Sequence, residues 1–487
     1  MKRIGLGIVT AIGLLALVAG AVWLQLRLPV PLQPTPQGVI LSDVTVINPG
    51  ESRTAGRRVV TEGDRIASIE AVADAVDAGS PYAGAYVLPG LTDMHVHLPL
   101  AQGLRQMELF AFRFLQHGVT TVRDAGSFDG SSLEYRRRER AGEFVGPRIY
   151  ACGPIIDGDP PLWPDSKVAR DAVEAAAIVA ELAELGVDCL KAYSGLSRDA
   201  AQGLLRAARA HGLPVIGHVP RSVRYDEALV DDAQHLLGLP AEQEADLRDV
   251  PARLAPWNAL GEERIERIVA ATLRHDLTNT PTLVTMHRLA RLDDYESLRV
   301  DPAALMLPRF YRDVVWNPEI GLPLVRQLGA RDFAAMRETE AARFRFVRAL
   351  YEAGTRLQVG TDVQIPFIVP GASLHDEMYL LVRAGIPPEA VWAMATRGPA
   401  KMLGVPDHGR IQVGAAADLL VFREDPTRDL AALATLEAVI AQGRLYPKEQ
   451  FTSGDEVYRR HFESYLFDRF SIALTKRVMA EMFANDD

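Results

Sequence analysis

In the stretch PGLTDMHVHL (89–98), His95 and His97 stand one residue apart at the end of an apolar run, in a chain with only 11 histidines in 487 residues. Residues i and i+2 of a strand project from one face, so the two imidazoles share a side while Met94 and Val96 face the other. Such a pair is half of a metal site if the other half lies elsewhere. Four residues qualify: Lys191 at the end of VDCLK, His218 at the end of LPVIGH, His235 at the end of DDAQH and Asp362 at the end of LQVGTD. All close strand-like segments and none opens one, so a common mouth would gather them. Imidazole and carboxylate suit zinc, and less specifically Mn, Fe or Co. Lys191 is the anomaly: a lysine at the inner end of an apolar strand is costly unless paired, deprotonated or modified. The alternative is that its stem snorkels and brings the amine to solvent.

Eight strand candidates carry or flank these residues: 92–97, 120–126, 148–153, 187–193, 213–218, 231–236, 278–283 and 356–362. Amphipathic segments such as SRDAAQGLLRAARAHG (197–212) separate them, with Ser197 suited to cap the start and Gly212 the end. Alternating strands and helices predict an α/β fold, a (β/α)8 TIM barrel, with chemistry at the C-terminal ends of the strands. Strand-like alternation at 37–88 and again at 406–447 predicts a small β-sandwich built from both flanks of a barrel spanning 89–405. Pro89-Gly90 would be the hinge between them. The stretch 284–345 is too long for one crossover and reads as a helical insertion over the mouth. Residues 448–487 read as a helical extension packed outside the core.

Residues 4–26 carry no charge, follow Lys2 and Arg3, and precede a Pro-rich stretch, which together predict a transmembrane helix and linker over 1–36. That places the protein in the inner membrane, single-pass, with the catalytic part exported. A cleaved signal segment, ending near Ala19-Gly20-Ala21, is the rival. The net charge of −10 and the absence of a long basic run argue against nucleic-acid binding. Two cysteines, Cys152 and Cys189, make no disulfide framework and read as buried thiols. A small-molecule substrate is expected, and the oligomeric state is left open.

The ordered set PGLTDMHVHL, HGVTTVRDAGS (117–127), GVDCLKAY (186–193), GH (217–218), AQH (233–235), PTL (281–283), VGTD (359–362) and the tail VWAMATRGPAKMLGVPDHGRIQVGAAADLLVFREDP (391–426) resembles the amidohydrolase superfamily of metal-dependent hydrolases. Within it the chain is similar to the imidazolonepropionase-like and Xaa-Pro or Xaa-Arg dipeptidase branch. The resemblance implies that His95, His97 and Asp362 hold one divalent ion and His218 and His235 a second, zinc foremost. It implies that Lys191 bridges them as a carbamate formed with CO2, which turns a costly buried cation into an anion between cations. Two ions would acidify a shared water and polarise a carbonyl, with Asp362 as general base and then acid. The implied activity is hydrolysis of an amide bond, in a dipeptide or a small cyclic amide.

One departure is Gly398 before Pro399-Ala400, where the family usually has Asn. A one-metal deaminase of a heterocycle is the competing reading, but such enzymes lack the strand-four lysine and place Glu where this chain has Arg221. A lactonase or esterase, and a membrane-anchored binding protein without catalysis, are further alternatives. Tyr193 and Arg221, each just past a ligand, are candidate substrate-binding residues. Arg123 and Asp124 are expected to form an internal pair, and His375 to Glu377 to belong to a helix start capped by Ser373 and Asp376.

Overall fold

The computed structural model describes residues 20, 23–72, 80–100, 104–127, 129–239, 245 and 249–483. Eight parallel strands form a closed ring. One section holds Leu91–Val96, Val119–Asp124 and Arg148–Ala151, in that order. The other runs Ile155–Asp157, Leu190–Ala192, Val215–Gly217, Asp232–Gln234, Thr278–Thr280 and Arg356–Leu357. Arg148–Ala151 and Ile155–Asp157 are two pieces of one strand, interrupted at Pro154, which can donate no ladder hydrogen bond. The ring closes where Met94 N donates to Val359 O and Asp362 N to His95 O, at 3.0 and 2.7 Å. Strands buried on both faces must be apolar or internally satisfied. Ala125, Cys152, Cys189 and Ile216 accordingly fill one interior cluster.

The segment Arg198–His211 shows how local sequence sets the outer helices. Ser197 accepts from Ala200 N at the start, and Gly212 takes the left-handed conformation (φ 67°) that ends the helix without a Cβ penalty. Its buried side chains, Ala200, Ala201, Leu204 and Ala208, recur at helical spacing.

The flanks meet in one seven-stranded sheet, with Leu436–Ala441 and Leu419–Phe422 placed beside Tyr86–Pro89 and Ile40–Asn48. Instead of two facing sheets, this one curls on itself. Gly38 N reaches Gly443 O, and Ile66 N reaches Ala415 O, at 3.3 and 2.9 Å. The curl encloses a separate small core that includes Leu41, Val59, Val87, Leu419 and Ile440.

Several expectations are corrected. Among the described residues no helix is long and apolar enough to cross a membrane, so the transmembrane helix over 4–26, and the inner-membrane placement built on it, have no structural support. Of that stretch, 1–19 and 21–22 lie outside the described residues. Residues 23–26 are helical, the helix stops beside Arg27, and Leu28 N then docks on Leu104 O. Cys152 and Cys189 are not thiols but one disulfide between neighbouring strands, with Cα atoms 4.3 Å apart. Arg123 pairs with Asp232 across the barrel interior and not with Asp124, whose oxygens accept from Leu98 N and Gly126 N. Adjacent strand residues point to opposite faces, so the neighbouring pair could not meet. The helix Ala372–Arg383 has no side-chain cap, because Ser373 Oγ instead accepts from Val369 N. The C-terminal extension forms Lys448–Phe462 and Tyr465–Met482, and it joins the main core through Phe451, Tyr458 and Phe467 instead of packing outside it.

Candidate metal centre

His95 lies within the first barrel strand, and His97 follows the end of that strand. His95 Nε2, His97 Nε2 and Asp362 Oδ1 form a triangle with sides of 3.4, 3.2 and 3.2 Å. Donor atoms at about 2.0–2.1 Å from a tetrahedral ion stand roughly 3.4 Å apart, so this is the spacing of three ligands around one cation. His235 adjoins them, its ring centroid 4.5 Å from that of His95 and its Nδ1 3.9 Å from Asp362 Oδ2. Donor atoms of His95, His235 and Asp362 all lie within 4.8 Å of one another. His218 completes the row, 5.0 Å from the His235 ring.

The imidazoles are held by their other contacts. His97 Nδ1 lies 2.7 Å from the carbonyl of Gly126, which can only accept, so its Nε2 carries the lone pair. His218 Nδ1 is 2.7 Å from Ser194 Oγ, and His235 Nδ1 is 2.6 Å from Thr282 Oγ1. Asp93 accepts from His95 N, Thr361 N and Thr361 Oγ1, which couples the first strand to the segment that carries Asp362. His235, Thr282 and Asp362 all have left-handed backbones, with φ of 60°, 45° and 67°. Such conformations cost about 1–3 kcal/mol each and persist where the surroundings impose them, often at functional sites.

Lys191 is fully buried and sits in the middle of its strand, not at its end. Its Nζ donates to Gln234 Oε1 at 2.5 Å, so the amine stays inside and does not snorkel. Two glycines make room for it. At Gly217 (φ 131°) a Cβ would fall 2.1 Å from Ala192 O and 3.0 Å from Lys191 Cδ, and at Gly126 (φ 129°) it would meet Lys191 Cγ at 3.2 Å.

Burial dominates the protonation states. It pushes the Lys191 amine down to about 7, the His235 imidazole down to about 3, and His95 and His218 well below the usual imidazole range. Burial opposes ionisation of Asp362, but His235 and His95 outweigh it and hold the carboxyl well below its usual range. Neutral imidazoles beside a carboxylate are the states that bind a divalent ion, so the residues present fit one.

The centre opens into a cavity of about 270 Å3 with mostly apolar walls. Tyr193 stacks on His218 (centroids 4.0 Å apart), and its hydroxyl accepts from Trp163 Nε1 at 2.9 Å. Arg221 is not among the lining residues; its backbone N donates to Ser194 O. Phe310 and Leu324 of the insertion and Leu474, Val478 and Met479 of the last helix also line the cavity. Gln234, Ser194 and Thr282 were legible only as neighbours of the histidines and lysine. Trp163, Arg253 and Arg343, which also line the cavity, had no local signal at all.

Residues 86–446 match the model of the Amidohydrolase family. The imidazolonepropionase of Cupriavidus taiwanensis is 26% identical over 432 residues, covering 80% of this chain and 90% of that one. The imidazolonepropionase of Pseudomonas fluorescens is 25% identical over 361 residues, 72% and 82% of the two chains. Among solved structures, a bottromycin amidohydrolase superposes with a TM-score of 0.68 at 25% identity, over 88% of this chain and 91% of that one. A Xaa-Pro dipeptidase superposes with a TM-score of 0.61 at 20% identity, over 84% and 100%. The family match takes in the whole barrel, and the ligand-spaced triangle lies at the mouth where barrel enzymes work. The chain therefore belongs to the amidohydrolase family, which implies a divalent metal, and is a hydrolase of carbon–nitrogen bonds.

Proposed function

We propose that this protein cleaves the amide bond of a dipeptide-sized small molecule at a centre of two divalent ions, zinc foremost. The observation that carries the reading is the triangle of His95, His97 and Asp362, with one carboxylate oxygen 3.2 Å from two imidazole nitrogens. His95, His97 and Asp362 would hold one ion, and His218 and His235 the other. When bound, such ions polarise a carbonyl and acidify water. Lys191, as a neutral amine, would add to CO2 and lose a proton, giving the bridging carbamate. Asp362 would accept a proton from the attacking water and hand it to the leaving nitrogen as the C–N bond breaks. Tyr193, lining the cavity beside His218, would contact the substrate. The Xaa-Pro dipeptidase among the structural neighbours and the imidazolonepropionase relatives, named for an amide-bond and a cyclic substrate, support this range.

Metal analysis of purified protein should return close to two equivalents of divalent ion per chain. Lys191→Ala should lower that to one or fewer and abolish turnover. A fully active Lys191→Ala variant would sink the carbamate bridge. A panel of dipeptides, N-acyl amino acids, cyclic amides and deaminable heterocycles tests the reaction class, and turnover of the heterocycles alone would overturn it.

A further inference from the structure

The cavity above the centre holds two guanidinium groups. Arg253 comes from Val250–Asn258 and Arg343 from Glu340–Glu352. Arg343 is only 5% exposed; one terminal nitrogen donates to Met336 O at 2.9 Å, and the other has no hydrogen-bond partner among the described residues. A buried cation with an unmet donor is costly unless something pairs with it. The acid nearest in sequence, Glu340, attracts Arg343 through space but makes its hydrogen bonds elsewhere, 2.6 Å from His287 Nδ1 and 3.4 Å from Arg383. The charge of Arg253 acts on Arg343 on one side and on His235 and Tyr193 at the cavity floor on the other. The arginines therefore continue the line of the metal centre into a mostly apolar chamber. Among the described residues, the carboxylates lining it are Asp362 on the floor and Asp165, which is exposed.

We propose that Arg253 and Arg343 are the carboxylate-binding end of the cavity, and that the substrate is an N-acyl amino acid with an uncharged, bulky apolar acyl group. The proposal rests on the amide-hydrolase reading above and narrows it. Guanidinium groups pair bidentately with carboxylates, and one is available here without displacing an existing partner. The apolar walls suit hydrocarbon on both halves of the amide. A free dipeptide fits poorly, because its ammonium would be desolvated in a mostly apolar chamber that already carries the buried Arg343 cation. In the reaction, water adds across the C–N bond of R–CO–NH–CHR′–COO⁻. The water oxygen stays on the acyl carbon, giving R–COO⁻, and both water protons end on the nitrogen as the ammonium of the free amino acid.

The test is calorimetric titration of the full-length protein with N-octanoyl-L-leucine, with its neutral carboxamide, and with the free dipeptide Leu-Leu. Turnover of the same three by the zinc-loaded enzyme is measured alongside. The acid should bind about 10- to 100-fold more tightly than the carboxamide, the range expected for hydrogen bonds to a charged group. Arg343→Met should remove most of that preference while leaving carboxamide affinity unchanged, and Arg253→Met serves as a second variant if the first is unstable. Equal binding of acid and carboxamide by the wild type would overturn the proposal, as would equal weakening of both in the two variants. The same holds if Leu-Leu binds as well as the acid. A retained preference for the acid with no cleavage of any amide would instead overturn the amide-hydrolase reading and leave the carboxylate end standing.

Discussion

Asp362 faces both imidazoles of the H-x-H pair through one oxygen and His235 through the other, and it does so from a left-handed backbone. Asp is among the few residue types that tolerate that conformation, so the position joins a backbone demand to a chemical one. In the proposed reaction this carboxylate would both ligate an ion and exchange a proton with the reacting atoms. Asp362→Asn keeps the shape and an oxygen donor but loses the basicity. Its kcat should fall about 10²- to 10⁴-fold, with metal content followed in parallel and the thermal transition little changed. Wild-type turnover in this variant would remove Asp362 from the proton-transfer role.

At the scale of elements, the barrel is held in register by buried polar links as well as by its ladders. Arg123 on the second strand pairs with Asp232 on the sixth and also donates to Met94 O on the first at 2.8 Å. Thr280 Oγ1 donates to the same aspartate. Arg123→Met leaves Asp232 buried without its cation, and should cost about 3–5 kcal/mol in denaturant unfolding. Arg123→Met/Asp232→Leu, which removes both charges, should recover part of that loss. A second link is Glu377, on the helix Ala372–Arg383, which accepts from Val284 N at 2.7 Å and anchors the start of the insertion. Burial pushes its carboxyl up from 4.5 to about 8. A carboxyl raised on folding favours the folded state at low pH, and that contribution is lost as pH climbs through the raised value. The stability of the wild type relative to Glu377→Gln should therefore fall between pH 4.5 and pH 8 and level off above, read as the difference in Tm across that range. A difference that stays flat with pH would show that Glu377 is ionised in the fold.

For the whole molecule, the decisive feature is that two distant parts of the chain roof one mouth. The insertion and the last helix are joined by the ion pair of Arg309 with Asp468 at 3.3 Å, and the extension is tied to the first outer helix by Arg113 with Asp455. Together they line the barrel mouth with mostly apolar side chains, which lowers the local dielectric and strengthens the electrostatics inside. Val478 belongs to that roof. Val478→Asp sets a carboxylate in the wall and should raise KM for an apolar, anionic amide about 10-fold or more, with metal content unchanged. If the helix only packed against the outside of the barrel, KM would not move.

The order of ligand-type residues along the chain, each closing or just following a strand-like segment, was enough to point to a parallel barrel with a metal centre at its mouth. The reason is geometric: strands of a closed parallel ring all end on the same side, so residues far apart in sequence meet if they share that end. His95, His97, His218, His235 and Asp362 are legible in this way, and Lys191 through its unusual placement. Other features had no one-dimensional signature. Arg123 finds Asp232 only because the ring closes, and Cys152 finds Cys189 only because their strands are neighbours. The N-terminal apolar stretch lies mostly outside the described residues, and no described helix is long and apolar enough to cross a membrane. The cavity roof, and with it the paired arginines, depends on how the insertion and the last helix fold back over the mouth. Contacts between elements hundreds of residues apart are set by packing, and only the tertiary structure decides them.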